Sequence, residues 1–153
     1  MQRYRKGVGI FLLNEENRLW VGKRIDMRSN YWQMPQGGID QNETPKEAMK
    51  RELMEEVGIR QNYKIISETE NWLKYELPKE LVGIVWNGEY VGQKQKWFAC
   101  KFQGTDNEII LDSYQAEFED WKWIKPMDAL QLVVPFKKNL YKKLLDYFSE
   151  FYN

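Results

Sequence analysis

Short runs of apolar residues, separated by polar and turn-forming residues, extend along most of the chain and predict a fold rich in β-strands. The runs "VGIFLL" at 8–13 and "RLWVGKR" at 18–24 flank the turn-forming Asn-Glu-Glu-Asn, which favours an early hairpin. The stretch 27–45 is punctuated by proline and glycine and is predicted to be a loop. Further strands are predicted at 63–67, 73–77, 81–86, 94–102 and 120–124.

Two segments have the periodicity and the end signals of helices. In the first, Thr44 can act as the N-cap, Pro45 fits the first helical position and Glu47 completes a capping box. Gly58 favours a helix end, because glycine readily adopts the left-handed conformation just beyond the last turn. A closing helix is predicted over 134–152. Its apolar residues recur every four positions and predict core packing: Phe136, Leu140, Leu144 and Phe148.

Strands interleaved with two helices predict an α/β fold built in layers, and 153 residues favour a single domain over 1–153.

The 23 Lys and Arg balance 23 Asp and Glu, so any nucleic-acid contact is expected to be local. The chain has no histidine, which excludes a Ser-His-Asp triad and leaves proton transfer to carboxylates, lysine or tyrosine. The lone Cys100 lies in an apolar run and is predicted to be buried. No apolar stretch approaches the ~20 residues of a membrane span, so a cytoplasmic location is expected.

Three glutamates crowd one side of the first predicted helix. At helical spacing, Glu52, Glu55 and Glu56 fall within an arc of roughly 100°. Like charges at this spacing repel and burial raises the cost, whereas a bound divalent cation would reverse the sign. Oxygen ligands without histidine or thiolate favour magnesium or manganese over zinc. The alternative is a solvated acidic face paired with the basic residues of the helix, Lys46, Lys50 and Arg51.

The residues around these glutamates match a family signature. From Gly37 the chain runs "GGIDQNETPKEAMKRELMEEVGI": a glycine, five residues, Glu43, seven residues, Arg-Glu-Leu, one residue, Glu-Glu, one residue, then Gly-Ile. The segment 37–59 agrees without departure with the box of the Nudix hydrolases, and the chain resembles that family. The resemblance implies the Nudix fold, a mixed β-sheet sandwiched between α-helices, with the box forming a loop-helix-loop.

The resemblance also implies a metal centre that acts on a diphosphate linkage. Glu52, Glu55 and Glu56 would be metal ligands, the Gly37 carbonyl would be an additional one, and Mg²⁺, with Mn²⁺ as a possible substitute, would be the cofactor. Such a cation neutralises phosphate charge and lowers the pKa of a bound water. Either Glu55 or Glu56 would then be the catalytic base that accepts the proton.

Other positions of the box have supporting roles by the same resemblance. Glu43 and Arg51 would pair and brace the loop against the helix, which fixes the geometry of the metal ligands. Gly38 would permit a tight turn. In the family members that act on RNA, a glutamate from a late loop joins the metal ligands, and Glu117 stands at the matching position.

Segments outside the box resemble two particular groups of Nudix hydrolases. "YRKGVGI", "WQMPQGGI", "NWLKYELP", "GQKQKWF" and "EFEDWKWI" are similar to bacterial RNA pyrophosphohydrolases and to asymmetric dinucleoside-tetraphosphate hydrolases. This implies that Arg5 and Arg24 contact the substrate or its phosphates, and that Phe136 and Lys137 cradle a base and a phosphate near the 5′ end. Structural roles are the alternative, as a strand-end surface charge for Arg24 and a core position for Phe136.

The predicted function is hydrolysis of the 5′-terminal triphosphate or diphosphate of RNA to leave a 5′-monophosphate, which would favour mRNA decay. Neutral net charge suits an enzyme that holds a 5′ end with a few cations. Lys94, Lys96 and Lys101 offer a local path for RNA or form a solvated strand face.

Cleavage of diadenosine tetraphosphate to ATP and AMP is the alternative activity. A non-catalytic nucleotide- or protein-binding module and a nucleotide-pool sanitiser are further hypotheses. A monomer is expected, and the sequence indicates no particular protein activator.

Overall fold

The computed structural model describes residues 3–25, 30–111 and 117–153, and within them eight strands form one mixed sheet. The strands are β1 (Tyr4–Leu13), β2 (Leu19–Arg24), β3 (Trp32–Gln33), β4 (Gln36–Gly38), β5 (Tyr63–Glu68), β6 (Leu73–Glu76), β7 (Gly92–Phe102) and β8 (Phe118–Ile124). The α-helices are α1 (Pro45–Glu52), α2 (Ala129–Leu132) and α3 (Lys138–Tyr147), and a π-helical turn, Leu53–Val57, continues α1. Short 3₁₀ helices cover Val85–Gly88, Asp106–Glu108, Pro126–Asp128, Pro135–Lys137 and Ser149–Phe151.

Strand β1 is at the centre of the sheet. It pairs in parallel with β7 along its whole length, from Tyr4 opposite Gly92 to Leu13 opposite Lys101, and antiparallel with β4 on its other side. Strand β7 also pairs antiparallel with β5 and β6, and β2 pairs antiparallel with β3 and β8. The predicted early hairpin is present, since β1 and β2 pair antiparallel across the turn that follows Leu13. Its paired region is short, with Leu13 opposite Leu19, because β4 occupies the same edge of β1 farther along.

The sheet lies between two helical layers, each with its own apolar core. On one face, buried side chains of β1 and β7 pack against α1 and the π-helical turn, with Ala48, Met49 and Leu53 fully buried. On the other face the same two strands pack against α3, where Tyr141 and Leu144 are fully buried. Burying a large apolar side chain contributes roughly 1.5–3 kcal/mol. The predicted α/β architecture, a mixed sheet sandwiched between helices, is confirmed.

Several element predictions need correction. The segment 81–86 is not a strand, because Gly83, Trp86, Asn87 and Gly88 have positive φ and bend the chain into turns and a 3₁₀ helix. The predicted loop contains the short strands β3 and β4, while its residues 27–29 lie outside the described part of the chain.

The predicted closing helix is divided into a 3₁₀ turn, α3 and a second 3₁₀ turn. Its apolar stripe packs in the core as predicted: Leu140, Leu144 and Phe148 are buried and Phe136 is half-buried. A further short helix, α2, precedes it. Cys100 is buried as predicted, and burial raises the pKa of its thiol to about 12, which keeps it protonated. Among the described residues, no helix is both long and apolar enough to cross a membrane.

Candidate active site

The segment that carries the glutamates is held at both ends by the predicted signals. The Thr44 hydroxyl accepts a hydrogen bond from the backbone N–H of Glu47 at 3.1 Å, and the Glu47 carboxylate accepts one from the Thr44 N–H at 2.9 Å. At the other end, Gly58 adopts φ 84° and its N–H donates to two carbonyls of the last turn. That last turn is π-helical rather than α-helical, which the sequence pattern did not predict. Its wider winding changes the directions of Glu55 and Glu56.

The three glutamates differ sharply in exposure. Glu52 and Glu56 are only 8% and 3% exposed, whereas the side chain of Glu55 is 38% exposed. One oxygen of Glu56 accepts a hydrogen bond from the backbone N–H of Gln36 at 3.2 Å, and its other oxygen is buried without a hydrogen-bond partner. Glu52 lies directly on Gly37, where a Cβ atom would stand 2.1 Å from the carboxyl carbon. Any larger residue at position 37 would therefore displace Glu52.

Arg51 connects the box loop to the helix through most of its donors. Its Nε and Nη2 donate to the two carboxylate oxygens of Glu43 at 2.8 and 2.9 Å, and Nη2 also donates to the Gly38 carbonyl at 2.8 Å. Its Nη1 donates to Glu52 at 2.7 Å and to Glu55 at 3.2 Å. The guanidinium lowers the pKa of Glu43 and fixes one oxygen of each of the two helix carboxylates. The pair predicted between Glu43 and Arg51 is present in the structure.

Burial leaves the carboxylates of this cluster short of compensating charge. Burial raises the pKa of Glu52 to about 7, with Arg51 opposing the shift and repulsion by Glu117 and Glu55 adding to it. The pKa of Glu56 is raised well above its usual range, first by burial and then by the proximity of the Glu117 carboxylate, with repulsion by Glu52 adding to the shift. The late-loop glutamate predicted from the sequence thus approaches the helix carboxylates.

A divalent cation fits this donor set chemically. The buried, unpartnered oxygen of Glu56 and the mutual repulsion of Glu52, Glu56 and Glu117 are the features that a hard cation would relieve. Across residues 3–25, 30–111 and 117–153, however, no three acidic, histidine or cysteine side chains already converge on one point as a complete coordination shell.

A polar cavity of about 260 Å³ opens beside this cluster. It brings together six of the predicted site residues, namely Arg5, Arg24, Gly37, Gly38, Glu52 and Glu117. The Nη1 atom of Arg24 lies 3.9 Å from a carboxylate oxygen of Glu117. The full lining is Arg5, Arg24, Gln36, Gly37, Gly38, Glu52, Trp86, Gln93 and Glu117. Cationic and anionic groups therefore face each other across the cavity, which suits a phosphate chain carried with a cation.

Gly38 does not form the tight turn predicted for it. It ends the extended strand β4 and is not among the glycines with positive φ. Its lack of a side chain instead makes room for Arg5, because a Cβ atom at Gly38 would lie 2.2 Å from a terminal guanidinium nitrogen of Arg5. The same guanidinium also faces the Trp86 ring, with its Cζ atom 5.4 Å from the ring centroid. The sequence pattern had assigned Trp86 to a strand and missed this contact.

Lys137 is buried beside the cavity rather than exposed. Its Nζ donates to the side-chain oxygens of Gln33 and Gln36, each at 3.3 Å, and lies 5.3 Å from the centre of the Tyr75 ring. Gln36 therefore connects the glutamate cluster to Lys137, since its backbone N–H binds Glu56 and its side chain binds Lys137. Phe136 is half-buried with its ring 5.9 Å from that of Tyr75, so it also packs against the core.

The predicted path of strand lysines is not continuous. Lys94 and Lys96 lie near the start of β7, each with its Nζ 5.8 Å from the centre of the Trp72 ring. Lys101 lies at the far end of the same strand, opposite Leu13, and its ammonium group donates to the Asn17 side chain. Because successive side chains of a strand point to opposite faces, Lys101 also lies on the opposite face from Lys94 and Lys96. Lys101 is thus separate from the other two.

Comparisons with known proteins agree with this fold. A model of the NUDIX domain matches residues 3–144. An RNA pyrophosphohydrolase from Pelagibacter ubique is 48% identical over 149 residues, which cover 97% of this chain and 94% of the relative. An RNA pyrophosphohydrolase from Rickettsia bellii is 43% identical over 146 residues, with coverage of 95% and 90%.

Solved structures extend the comparison at low identity. The dihydroneopterin triphosphate pyrophosphohydrolase of E. coli superposes with a TM-score of 0.73 at 18% identity, covering 95% of this chain and 99% of its own. An Ap4A hydrolase from C. elegans superposes with a TM-score of 0.68 at 18% identity, covering 95% and 98%. At such identity the superpositions show the shared fold alone.

The NUDIX match and the RNA pyrophosphohydrolase relatives identify the class of enzyme to which this fold and its carboxylate-lined polar cavity belong, the hydrolases of phosphoric anhydrides. Within that class the chain belongs to the NUDIX family, whose domain model covers most of its length. The predicted family and fold are thereby confirmed. Members of this family generally require a divalent metal ion.

Proposed function

We propose that this Nudix hydrolase removes the 5′-terminal triphosphate or diphosphate of RNA as pyrophosphate or phosphate and leaves a 5′-monophosphate. The observation that carries the proposal is identity of 43–48% over nearly the whole chain to relatives named RNA pyrophosphohydrolase. The cavity supports it, because arginines and carboxylates line one small polar space. This activity would promote mRNA decay and belongs in the cytoplasm, and we propose that the enzyme acts as a monomer.

We assign the acidic residues to two tasks. Glu52 and Glu56, together with Glu117 and the Gly37 carbonyl, would hold Mg²⁺, with Mn²⁺ as its substitute. When bound, the cation supplies charge neutralisation of the phosphates and a more acidic water. Glu55 is the better placed base, because its side chain is more exposed than those of Glu52 and Glu56. Arg51 holds one oxygen of Glu55, as it does for Glu52. Glu55 can therefore accept a proton through the other oxygen.

We assign the basic and aromatic residues to the substrate. Arg5 and Arg24 line the cavity and would bind the polyphosphate, since guanidinium groups form paired hydrogen bonds with phosphate oxygens. Contacts with Trp86 and close packing at Gly38 would keep the charge of Arg5 directed at the cavity. Phe136 and Lys137 would border the first bases, with the charge of Lys137 held in place by two glutamines.

A paired substrate assay tests this function. With Mg²⁺ present, 5′-triphosphorylated RNA is expected to give a much larger kcat/KM than diadenosine tetraphosphate or free nucleoside triphosphates. A larger value for the dinucleotide would establish the alternative hydrolase activity, and a larger value for nucleoside triphosphates would indicate a pool sanitiser. Either result would overturn the RNA assignment.

A substitution series tests whether the site is catalytic at all. Glu56→Gln is expected to lower kcat by at least about 100-fold, because it removes a charged ligand from the centre of the site. Glu119→Gln is the matched control. Glu119 lies on β8, and its exposed carboxylate forms an ion pair with Lys23. Unchanged activity and metal affinity in Glu56→Gln would contradict the catalytic role of this site, and no hydrolysis by the wild type would instead support a non-catalytic binding module.

A further inference from the structure

A row of lysines crosses three adjacent strands at one end of the sheet. Lys6 on β1 lies directly opposite Lys94 on β7, and Lys94 lies directly opposite Lys74 on β6. Directly opposed residues of a sheet share one face, with Cβ atoms about 5 Å apart, and like charges in such positions repel. The row therefore costs stability unless an anion lies across it.

Two aromatic rings stand among these lysines. The ammonium groups of Lys6 and Lys94 lie 5.9 and 5.8 Å from the centre of the half-buried Trp72 ring, and that of Lys96 lies at 5.8 Å. The ammonium group of Lys74 lies 4.7 Å from the centre of the Tyr4 ring. We name this surface the lysine–aromatic face and define it by Tyr4, Lys6, Trp72, Lys74, Lys94 and Lys96.

The positive charge of the lysine–aromatic face is left largely uncompensated. Within the described ranges, none of its four lysines forms an ion pair, although Lys96 donates to the carbonyls of Thr69 and Glu70. Glu76 is at the border of the face and accepts a hydrogen bond from the Tyr4 hydroxyl at 2.9 Å. A chain whose formal net charge is zero thus concentrates four lysines around two rings. Basic side chains interleaved with aromatic rings are typical of single-strand binding surfaces.

The position of the face relates it to the active site. Lys6 and Lys94 directly follow Arg5 and Gln93, which are paired across the same two strands and both line the cavity. Side chains alternate along a strand, so the face is on the other side of the sheet from Arg5, around the ends of β1 and β7. An RNA strand whose 5′ end occupies the cavity could reach the face after a few nucleotides.

We propose that the lysine–aromatic face binds single-stranded RNA a few nucleotides downstream of the 5′ end, with its lysines on phosphates and Trp72 against a base. The identity of this ligand rests on the proposed function of the cavity. The face accounts for affinity toward long substrates, whereas the cavity performs the hydrolysis. It should therefore confer a preference for long over very short RNA.

Binding without hydrolysis provides the first test. A 12-nucleotide single strand with a 5′-hydroxyl, which lacks the group bound in the cavity, is titrated with the metal-free protein. The triple variant Lys6→Gln, Lys74→Gln, Lys94→Gln is expected to bind at least about tenfold more weakly. The logarithm of the association constant falls linearly with the logarithm of the salt concentration, by roughly 0.7 per phosphate contact on a single strand. Loss of three such contacts should make the slope of the triple variant shallower by about 2.

A charge-matched control separates the face from net charge. Lys125→Gln, Lys142→Gln, Lys143→Gln removes three exposed lysines elsewhere on the molecule and is expected to bind like the wild type. Trp72→Phe keeps an aromatic ring and should lose only part of the affinity, since a smaller ring can still stack on a base. Circular dichroism verifies that each variant is folded.

Length dependence provides the second test. Wild-type kcat/KM should rise from a triphosphorylated dinucleotide to a 12-nucleotide RNA, and the triple variant should lose that rise while cleaving the dinucleotide normally. Equal RNA binding by the wild type and the triple variant would overturn the face as an RNA site, even if hydrolysis is confirmed. Lysine-dependent binding without hydrolysis of triphosphorylated RNA would overturn the proposed function and leave the face standing.

Discussion

Arg51 is the side chain on which the geometry of the candidate site depends most. Its guanidinium simultaneously contacts Glu43, Gly38, Glu52 and Glu55, so it links the loop before α1 to the carboxylates at the end of α1. Three of these partners are acidic, and the cation therefore offsets part of the repulsion that burial imposes on the cluster. Its planar fork also fixes directions that a single ammonium group cannot.

Arg51→Lys is expected to weaken both stability and activity. The lysine keeps the charge but loses the two-point contact with Glu43 and the bond to the Gly38 carbonyl, which should cost about 1–3 kcal/mol of unfolding free energy. Loss of ligand positioning should lower metal affinity by roughly 10–100-fold. Denaturant unfolding and metal titration measure the two effects. Lys50→Gln, an exposed neighbour on the same helix, should change unfolding by less than about 0.5 kcal/mol.

Glu52 predicts a pH dependence of the metal-free protein. Its folded-state pKa of about 7 exceeds its usual value of 4.5, so the folded state binds the proton more tightly than the unfolded state. The unfolding free energy should therefore fall as pH rises from 4.5 to 7, by up to about 3 kcal/mol from this group. Urea unfolding in a chelator at several pH values measures the slope.

Glu52→Gln is the diagnostic variant for this dependence. It removes the titrating group while keeping its shape, so its unfolding free energy should fall less steeply than that of the wild type over the same range. Parallel slopes in the two proteins would contradict the assignment of the effect to Glu52. Divalent metal added at pH 7.5 should stabilise the wild type by mass action.

At the scale of elements, the end of the glutamate-bearing helix is the critical junction. The π-helical turn Leu53–Val57 ends at Gly58, whose φ is 84°. Gly58 also packs closely, because a Cβ atom there would stand 2.5 Å from the Ile110 carbonyl oxygen. The backbone N–H of Ile110 in turn donates to the carbonyl of Val57 at 2.9 Å. The turn that presents Glu55 and Glu56 is therefore fixed by a segment distant in sequence.

Gly58→Ala should be far more destabilising than the same change at Gly83. Both glycines have positive φ, which costs an alanine about 1–2 kcal/mol, but no atom lies within 4 Å of the Cβ position at Gly83. The clash at Gly58 should add about 1–3 kcal/mol of overpacking. Chemical denaturation of the two variants measures the difference, and equal losses would show that packing against Ile110 is unimportant.

At the scale of the whole molecule, the site is where the sheet and its two helical layers meet. Glu52 and Glu56 come from the helix on one face, and Lys137 comes from the segment before the helix on the other. The chain between β3 and β4 passes between them, and the backbone N–H of Met34 donates to the buried Tyr141 hydroxyl at 2.7 Å. This bond attaches the loop before the box to α3.

Tyr141→Phe should destabilise the protein by about 1–3 kcal/mol, because it leaves the buried Met34 N–H without an acceptor. Activity should fall together with stability, because Gln36 lies two residues after Met34 and its backbone N–H binds the Glu56 carboxylate. Tyr147→Phe is the matched control on the same helix. The Tyr147 hydroxyl accepts an exposed bond from the Glu70 N–H at 3.2 Å, so its loss should cost less than about 0.5 kcal/mol. Thermal unfolding compares the two.

Features that depend on near neighbours were predictable from the sequence. The capping box at Thr44 and Glu47, the end at Gly58 and the spacing of the box glutamates each involve residues a few positions apart. Their physics is that of one turn of helix, in which spacing determines which groups meet. Local composition also identified the apolar stripe of α3 and the burial of Cys100, because neither depends on strand partners.

Contacts between strands could be decided only by the tertiary structure. A period of two defines the faces of a strand but not its neighbours. The sequence therefore predicted the hairpin of β1 and β2, but neither its short pairing nor the opposition of Lys6, Lys94 and Lys74. The same holds for Arg5, whose contacts with Gly38 and Trp86 required long-range packing. Spacing along the chain thus determined the chemistry of the box. Pairing across the sheet determined which cations and rings surround it, because those contacts join residues far apart in sequence.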